Sequence, residues 1–463
     1  MAKRVTRRKK RGRAPEERFE MVRKSTAGID VGSREIWVSV PPQRSEEPVR
    51  MFGVMTDDLR ELATWLRECR VDTVALESTG VYWVPLYEIL EEQDLDVWLV
   101  NAREVKSVPG RKSDVLDCQW IRRLHTYGLL RKSFRPAAEI VQIRQYLRQR
   151  DVLVRGAADE VRRMHQALTY MNIRLQNVVS DITGQTGMAI LRSIVAGERD
   201  VAALAEHRDY RCRASSKTIE QSLTGNYRDE HILALKQAIE LWDLHQKLIA
   251  ECDAMAASAL DAVSSQAGLS ARSIVKKPRR KRRPKDATVD YCNRLLPLIG
   301  VDLTAIPGIS DYSAAVIVSE IGTDISQWRT AGNFASWLRL VPRTDITGGK
   351  PKNRRTLPTQ NRVTSILRMA ALNAGRSNTA LGAFYRNFAR RKGKAEAVVA
   401  TAHKIARIIY AMLRDRTEFH DIGFDGWEGQ RRERNIRNLK RRAQALGVRI
   451  VEESTPEAPQ MSC

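Results

Sequence analysis

The chain has 463 residues, 43% of them hydrophobic, and its 79 Lys and Arg outweigh 55 Asp and Glu to give a formal net charge of +24. This length predicts two or three domains with real cores, and the absence of any run of ~18 apolar residues or of an apolar signal core excludes a membrane protein, so we expect a soluble cytoplasmic one. The positive excess favours a polyanion as partner, because each phosphate that is neutralised releases condensed counterions.

The first part of the chain predicts an α/β domain behind a basic arm. Residues 1–24 are strongly basic and lack apolar periodicity, which is typical of a disordered arm. Residues 25–137 predict three short strands, a helix with Thr56 as its N-cap, and then buried strands that alternate with helices. That order indicates a mixed sheet with helices on its faces.

The middle and the end of the chain are predominantly helical in pattern. Residues 138–270 contain two long periodic runs, which predict a helical hairpin or coiled coil that is either a spacer or a dimerisation stalk or nucleic-acid platform. Residues 271–290 form a basic linker or phosphate-binding strap. Residues 291–420 predict a second, mostly α domain, and residues 421–463 a charged tail.

Four carboxylates in the first domain have the spacing of a metal site. Asp30 in GIDVG and Glu77 in ALESTG each interrupt an apolar strand shortly before a glycine, and Asp114 and Asp117 lie three residues apart on one helix face. An Asp-x-x-Asp helix alone is usually a solvated face. Together, however, the four predict a pocket of hard oxygen ligands for two Mg²⁺ ions, with Mn²⁺ as an alternative.

Two glycine turns mark the second domain. In LTAIPGISDYSAAV, Gly308 predicts a tight turn between two helices, and this similarity to a helix-hairpin-helix suggests contact with a DNA phosphate at the second helix; the alternative is an ordinary helical turn. In RTDITGGKPKNRRT, the hydroxyl of Thr347 precedes a glycine pair and four cations that can stabilise a phosphoryl transition state. These glycines and cations are Gly348, Gly349, Lys350, Lys352, Arg354 and Arg355.

These motifs carry a family resemblance over about residues 25–420. GIDVG, ESTGVYW and PGRKSDVLDCQWI, followed by VDLTAIPGIS, FASWLRLVP, ITGGK and LGAFYRNFARRKGKAEAVVATAHKIARIIYAML, resemble the DEDD transposases of bacterial insertion sequences. The resemblance implies a RuvC-like domain of RNase H fold and a C-terminal transposase domain. It matches the carboxylates 30, 77, 114 and 117 to the four acidic residues of the family.

The resemblance also implies an activity and its partners. Members of this family cut and exchange DNA strands at a composite site that both domains form across subunits, in a dimer or tetramer. A structured noncoding bridge RNA from their own element guides them to donor and target DNA. For this chain the resemblance therefore implies DNA, a guide RNA and a second copy as partners, in a bacterial cytoplasm and at the nucleoid.

One position departs from the family pattern. The family usually has a serine nucleophile before the glycine pair, and here Thr347 takes its place. The β-methyl group of threonine crowds an in-line attack and restricts the side-chain rotamer. Three alternatives follow: Thr347 is the nucleophile, a nearby serine such as Ser365 replaces it, or strand transfer is weak or lost.

Two rival functions would require only some of these sequence features. A metal-dependent nuclease such as a junction resolvase, which cuts without rejoining, needs only the four carboxylates and leaves the glycine-marked second half unexplained. A domesticated nucleic-acid-binding protein would need no catalysis, but the presence of all four carboxylates argues against it.

Overall fold

The computed structural model describes residues 20–78, 80–101, 114–266, 289–342, 345–348, 350–353, 356–448 and 450. It divides the chain into two compact units, Met1–Arg135 and Pro136–Cys463. Most of the expected basic arm, most of the basic linker and the end of the tail lie outside the described residues. The six-segment division made from the sequence therefore stays a prediction.

The first unit is built on a mixed five-stranded sheet. Its strands are β1 (Thr26–Val31), β2 (Ile36–Ser39), β3 (Val49–Phe52), β4 (Thr73–Glu77) and β5 (Asp96–Val100). Their order is β3-β2-β1-β4-β5; β2 is antiparallel to both neighbours, whereas β4 is parallel to β1 and β5. Its α-helices are α1 (Thr56–Glu68), α2 (Trp83–Glu92) and α3 (Asp114–Thr126), and a 3₁₀ turn spans Pro42–Arg44. This arrangement confirms the predicted α/β, RNase H-like fold class.

Helices cover both faces of this sheet. Alternate residues of the central strands, such as Ile29 and Leu76, are buried in one core with Leu62 of α1 and Leu86 of α2. The opposite face packs on α3, where Ala75 is buried with Ile121 and its neighbours. The strands are therefore buried from two sides, as their nearly continuous apolar sequences predict.

The start of α1 differs from the prediction by one residue. Thr56 is the first helical residue and Met55 is the N-cap. The backbone N–H of Met55 donates to Oδ2 of Asp58 at 3.0 Å, so an acidic residue one turn later satisfies the helix start.

The second unit begins with a long antiparallel helical hairpin. Its arms are α4 (Ala138–Tyr170) and α8 (Asp229–Gln266). Near the base, Nε of Arg150 lies 2.7 Å from Oδ1 of Asp253, and farther out Gly156 packs against the ring of His245. The pairing runs in opposite directions along the two helices, which confirms the predicted hairpin. Between the arms lie a 3₁₀ turn (Leu175–Asn177), α5 (Gln185–Val195), α6 (Val201–Glu206) and α7 (Ser216–Leu223).

The rest of the second unit is mostly helical, as predicted. Its α-helices are α9 (Tyr291–Ile299), α10 (Asp311–Ile321), α11 (Ala331–Trp337), α12 (Arg362–Gly375), α13 (Ala380–Lys392), α14 (Lys394–Asp415) and α15 (Gly423–Ala445). Two 3₁₀ turns span Leu303–Ala305 and Ile325–Gln327, and two short strands, β6 (Asp345–Thr347) and β7 (Lys350–Asn353), form a hairpin. None of the helices that the structure describes has the length and apolarity to span a membrane.

Candidate active site

Asp30 and Glu77 lie side by side on neighbouring strands. In the parallel register of β1 and β4, Gly28 is level with Ala75 and Ile29 with Leu76, so Asp30 and Glu77 are the next residues of each strand. Neighbouring strands are about 4.8 Å apart, and level residues of parallel strands point to the same face. Both carboxylates are half-buried. The structure thus brings together two of the four predicted ligands.

Helix α3 crosses this face of the sheet in a direction antiparallel to β1. Near the end of the helix, Oγ1 of Thr126 lies 2.8 Å from Oγ1 of Thr26, and one turn earlier Gly28 packs directly on the helix backbone. Two residues of a strand advance about 6.6 Å and four residues of a helix about 6 Å. Asp30, two residues beyond Gly28, is therefore level with the first turns of α3.

Those first turns carry the other two predicted ligands. Asp114 is the first residue of α3 and Asp117 follows three residues later, half-buried. The side chain of Asp114 lies outside the described residues. Within the part of the chain that the structure describes, no group of three or more His, Cys, Asp or Glu residues forms a metal site. The four-carboxylate site therefore stays a prediction, for which the backbone supplies the framework.

The surroundings of Asp30 show how close α3 comes. Cys118 is fully buried, and burial, followed by the negative charge of Asp30, raises the pKa of its thiol to about 12. The thiol is therefore protonated at neutral pH and is a poor nucleophile. The charge effect also shows that the Asp30 carboxylate lies near this turn of α3.

The donor set suits a hard divalent cation. Two neighbouring carboxylates repel each other, and a cation that prefers oxygen ligands removes that repulsion. A further polar group lies beside them: Trp37 is level with Asp30 on β2, and its indole Nε1 is buried without a hydrogen-bond partner among the described atoms. Sequence reasoning missed Trp37, because only the strand register places it next to Asp30.

In the second unit, Thr347 lies at the tip of the β6–β7 hairpin. Thr347 pairs with Lys350 across a two-residue turn, and Gly348 in that turn has φ +57°. A Cβ atom on Gly348 would meet nothing within 4 Å, so the turn is open on that side. A Gly-Gly pair between two extended segments is a hairpin signal, but in the sequence this pair marked only a predicted phosphate-contact loop, and these strands were not predicted.

The other predicted groups of this loop are described only in part. The side chains of Thr347, Lys350 and Lys352 lie outside the described residues, as do Gly349, Arg354 and Arg355 altogether. The proposed alternative nucleophile, Ser365, is exposed on α12, where its hydroxyl donates to the carbonyl oxygen of Asn361 at 3.4 Å.

The backbone conformation and the close packing around Gly308 are enough to explain why this turn has a glycine. Its φ is +93°, and a Cβ atom there would lie 2.4 Å from the carbonyl oxygen of Ala370 on α12. The element before the turn is the 3₁₀ turn Leu303–Ala305, which is shorter than the predicted helix. At the start of α10, the hydroxyl of Ser310 accepts a hydrogen bond from the backbone N–H of Ser313 at 3.2 Å. A phosphate contact at this turn stays a prediction.

Comparison with known proteins relates both regions to transposases. A family model of IS110-type DEDD transposases matches residues 27–173, and the model of the transposase IS116/IS110/IS902 family matches residues 302–386. The first match includes all four carboxylates, and the second includes Gly308 and Thr347. A probable family 20 transposase from Pseudomonas aeruginosa is 32% identical over 123 residues, which is 25% of this chain and 35% of that protein. The chain thus matches about a third of the length of that relative.

Proposed function

Because the chain belongs to the IS110-type DEDD transposases, we propose that it is the recombinase of a bacterial insertion sequence and that it cuts and rejoins DNA strands. Family membership implies a general dependence on divalent metal ions. The observation that carries the proposal is the level placement of Asp30 and Glu77 on β1 and β4, beneath the first turns of α3.

The proposed cations are two Mg²⁺ ions, with Mn²⁺ as a substitute. Asp30, Glu77, Asp114 and Asp117 would hold them, and when bound they would stabilise charge on the attacking and leaving oxygens of a phosphodiester. The chain's own contribution is position. Gly28 lets α3 approach β1 closely, and in this proposal that approach would hold carboxylates from the helix and from two strands together at the C-terminal ends of β1 and β4.

For the nucleophile we propose the hydroxyl of Thr347. Its Oγ1 atom would attack the phosphorus and form a threonine phosphodiester, while the DNA oxygen leaves with a proton as a free hydroxyl. In the rejoining step a DNA hydroxyl attacks the same phosphorus, and the threonine hydroxyl is regenerated. The cations proposed to hold the phosphate are Lys350, Lys352, Arg354 and Arg355, with the amides at Gly308, Gly348 and Gly349 as further phosphate contacts.

The proposed partners follow from the family and from the charge. They are donor DNA, target DNA and a noncoding guide RNA from the same element, bound by a dimer or tetramer of the chain at the nucleoid. The net charge of +24 supports nucleic acids in general. The match to the relative covers only 35% of that protein, so the relative alone does not identify these partners.

The metal-dependent step is tested by Asp30→Asn, which removes one ligand charge and keeps the side-chain volume. We expect Mg²⁺-dependent cleavage of element-end DNA to fall by more than about 100-fold, because loss of groups that merely support a metal ligand already costs 10–100-fold. Asp72→Asn is the control, since Asp72 is an exposed carboxylate that directly precedes β4, the strand that carries Glu77. Cleavage that persists in Asp30→Asn and in excess EDTA would contradict the metal proposal.

The nucleophile is tested by trapping the covalent protein–DNA adduct. We expect Thr347→Ala to abolish the adduct and Thr347→Ser to retain or increase it, because serine keeps the hydroxyl without the β-methyl group. An adduct that remains in Thr347→Ala removes Thr347 from the mechanism, and Ser365→Ala then tests the alternative. Cleavage without any adduct in the unmodified protein would favour a resolvase that does not rejoin.

A further inference from the structure

The C-terminal half of α15 is exposed along its length. The first turns of the helix pack on α13 through half-buried Phe424 and Trp427, and the guanidinium of Arg386 lies 5.9 Å from the ring of Phe424. From residue 432 to residue 442 every side chain is exposed, and no residue of the helix is buried. This exposed half, residues 432–445, is about 21 Å long at 1.5 Å per residue. It lies beyond the segment 302–386 that the second family model matches.

The exposed half is rich in arginines that lack carboxylate partners. With the side chains that the structure describes, its arginines at 432, 434, 437, 441 and 442 make no ion pair. Some exposed arginines elsewhere in the chain do pair: Arg60 with Asp57, Arg192 with Asp243, and Arg211 with Asp209. Between residues 432 and 442 the sequence has a single acidic residue, Glu433.

These arginines are not confined to one narrow stripe of the helix. At 100° per residue, positions 432, 434, 437, 441 and 442 are spread over more than half of the circumference. Apart from exposed Ile436 and Leu439, this half of the helix is polar, and its arginines are not paired with carboxylates, so its charge suggests an external partner. The positive region also continues onto α14, since burial and then the charge of Arg434 lower the pKa of Lys404.

We propose that residues 432–445 of α15 dock in the major groove of a B-form DNA duplex. This inference rests on the proposed function, which brings a DNA duplex to the protein. A helix with its side chains is about 10–12 Å wide and the major groove of B-DNA is about 12 Å wide, so arginines on both sides can reach the phosphates of both walls. The major groove of A-form RNA is too narrow to admit such a helix.

The test compares two triple variants of the full chain that lose the same charge. In the first, Arg434, Arg437 and Arg441 are changed to Gln; in the control, the carboxylate-paired Arg60, Arg192 and Arg211 are changed to Gln. Binding to a random-sequence DNA duplex is measured by fluorescence anisotropy over a series of salt concentrations. We expect the slope of log K against log salt to become less negative by about 2.7 in the first variant, at about 0.9 per lost phosphate contact, and to change by less than about 1 in the control.

Three results would overturn the inference. Equal slopes for the two triple variants would show that α15 makes no phosphate contacts of its own. A loss confined to an A-form RNA duplex would identify RNA as the occupant. The third result combines two observations: the double variant Ile436→Asp/Leu439→Asp has a lower mass in analytical ultracentrifugation than the unmodified protein, and the arginine variant binds DNA normally. Together they would identify a second copy of the chain as the occupant.

A failure of the proposed function looks different. It appears as absent Mg²⁺-dependent cleavage in the unmodified protein, whatever α15 does, whereas a failure of this inference leaves cleavage intact and the salt slope unchanged. Since no residue of α15 is buried, the first triple variant should melt at the temperature of the unmodified chain. The control variant loses only exposed ion pairs, each of which contributes about 0–1 kcal/mol, so its melting temperature should change little.

Discussion

At the residue scale, His125 is the titratable group whose surroundings have the clearest consequence for stability. The side chain is fully buried in α3, and its Nε2 atom lies 2.9 Å from Oγ1 of Thr73. Burial, followed by the positive charge of Arg23, lowers the pKa of His125 to about 4 from its usual 6.5. The folded protein therefore keeps this imidazole neutral at a pH where the unfolded chain protonates it.

This difference makes the first unit less stable in mild acid. Between pH 6.5 and about 4 the unfolded state binds the extra proton, so the free energy of unfolding rises with pH across that window. The contribution of His125 is fully present above pH 6.5 and amounts to about 3 kcal/mol at most. Hydrogen exchange of the β1 and β4 amides, measured from pH 4 to 7, reports this opening.

Two variants assign the effect. His125→Gln should flatten the pH dependence, because glutamine keeps a polar group near Thr73 and does not titrate. His420→Gln, at an exposed position of the second unit, should leave it unchanged. A pH dependence that is identical in His125→Gln and in the unmodified protein would contradict the assignment.

The sequence reveals some of these residues and conceals others. Asp30 and Glu77 could be identified from sequence because a carboxylate within an apolar strand is costly unless it serves a function. Trp37 and His125 could not, because an indole or an imidazole in an apolar pattern is an ordinary core residue. Their importance depends on strand register and helix packing, which connect residues far apart in the chain.

At the scale of elements, the contact between β1 and α3 positions the candidate site. A Cβ atom on Gly28 would lie 2.3 Å from both the amide nitrogen of Arg122 and the carbonyl oxygen of Cys118. These are backbone atoms of a helix and cannot give way as a flexible side chain can. Glycine is therefore required at position 28 for α3 to lie close enough to the sheet that its first turns are beside Asp30.

Gly28→Ala should separate this helix from the sheet. We expect a loss of about 3 kcal/mol in the unfolding free energy of the first unit, the upper part of the usual range for overpacking, together with reduced DNA cleavage. The control is Gly429→Ala in α15, where a Cβ atom would meet nothing within 4 Å. That change should be neutral or stabilise the helix by up to about 1 kcal/mol. Equal effects of the two substitutions on thermal unfolding would contradict the close-contact argument.

Periodicity predicted most elements because burial imposes it directly. The five strands and three helices of the first unit follow the apolar pattern, and the two long helices follow their helical period. The β6–β7 hairpin at Thr347 was not predicted, because strands of three and four residues carry almost no periodic signal. The N-cap of α1 is Met55, one residue before the predicted Thr56, because the position of a helix end depends on which nearby side chain caps it.

At the scale of the whole molecule, a buried polar cluster joins the long hairpin to the C-terminal helices within the second unit. Asp253 of α8 is 1% exposed and accepts hydrogen bonds from Nε of Arg150 and from the hydroxyl of Tyr291, each at 2.7 Å. Close by, Arg148 of α4 makes a two-point ion pair with Glu320 of α10, at 2.9 and 2.8 Å. This cluster could not be predicted from the sequence, because its hydrogen-bonded partners are 38 to 172 residues apart in the chain.

The cluster predicts a strong dependence of the second unit on Asp253. Asp253→Ala would leave the guanidinium of Arg150, itself mostly buried, without its carboxylate partner. Breaking a buried pair on one side costs about 3–5 kcal/mol, whereas removing an exposed pair costs about 0–1 kcal/mol. The matched control is therefore Asp243→Ala. Asp243 lies on α8, as Asp253 does, and its substitution breaks an exposed ion pair with Arg192 of α5.

Denaturant unfolding of the full chain, monitored by hydrogen exchange in α4 and α8, distinguishes these effects. We expect Asp253→Ala to destabilise the hairpin and α9 together, because Tyr291 loses its acceptor in the same step. A loss confined to α8 would mean that the hairpin and the C-terminal helices are held together by apolar packing alone. Equal losses in Asp253→Ala and Asp243→Ala would mean that burial of the ion pair adds nothing, contrary to the cost of leaving a charge unpaired away from water.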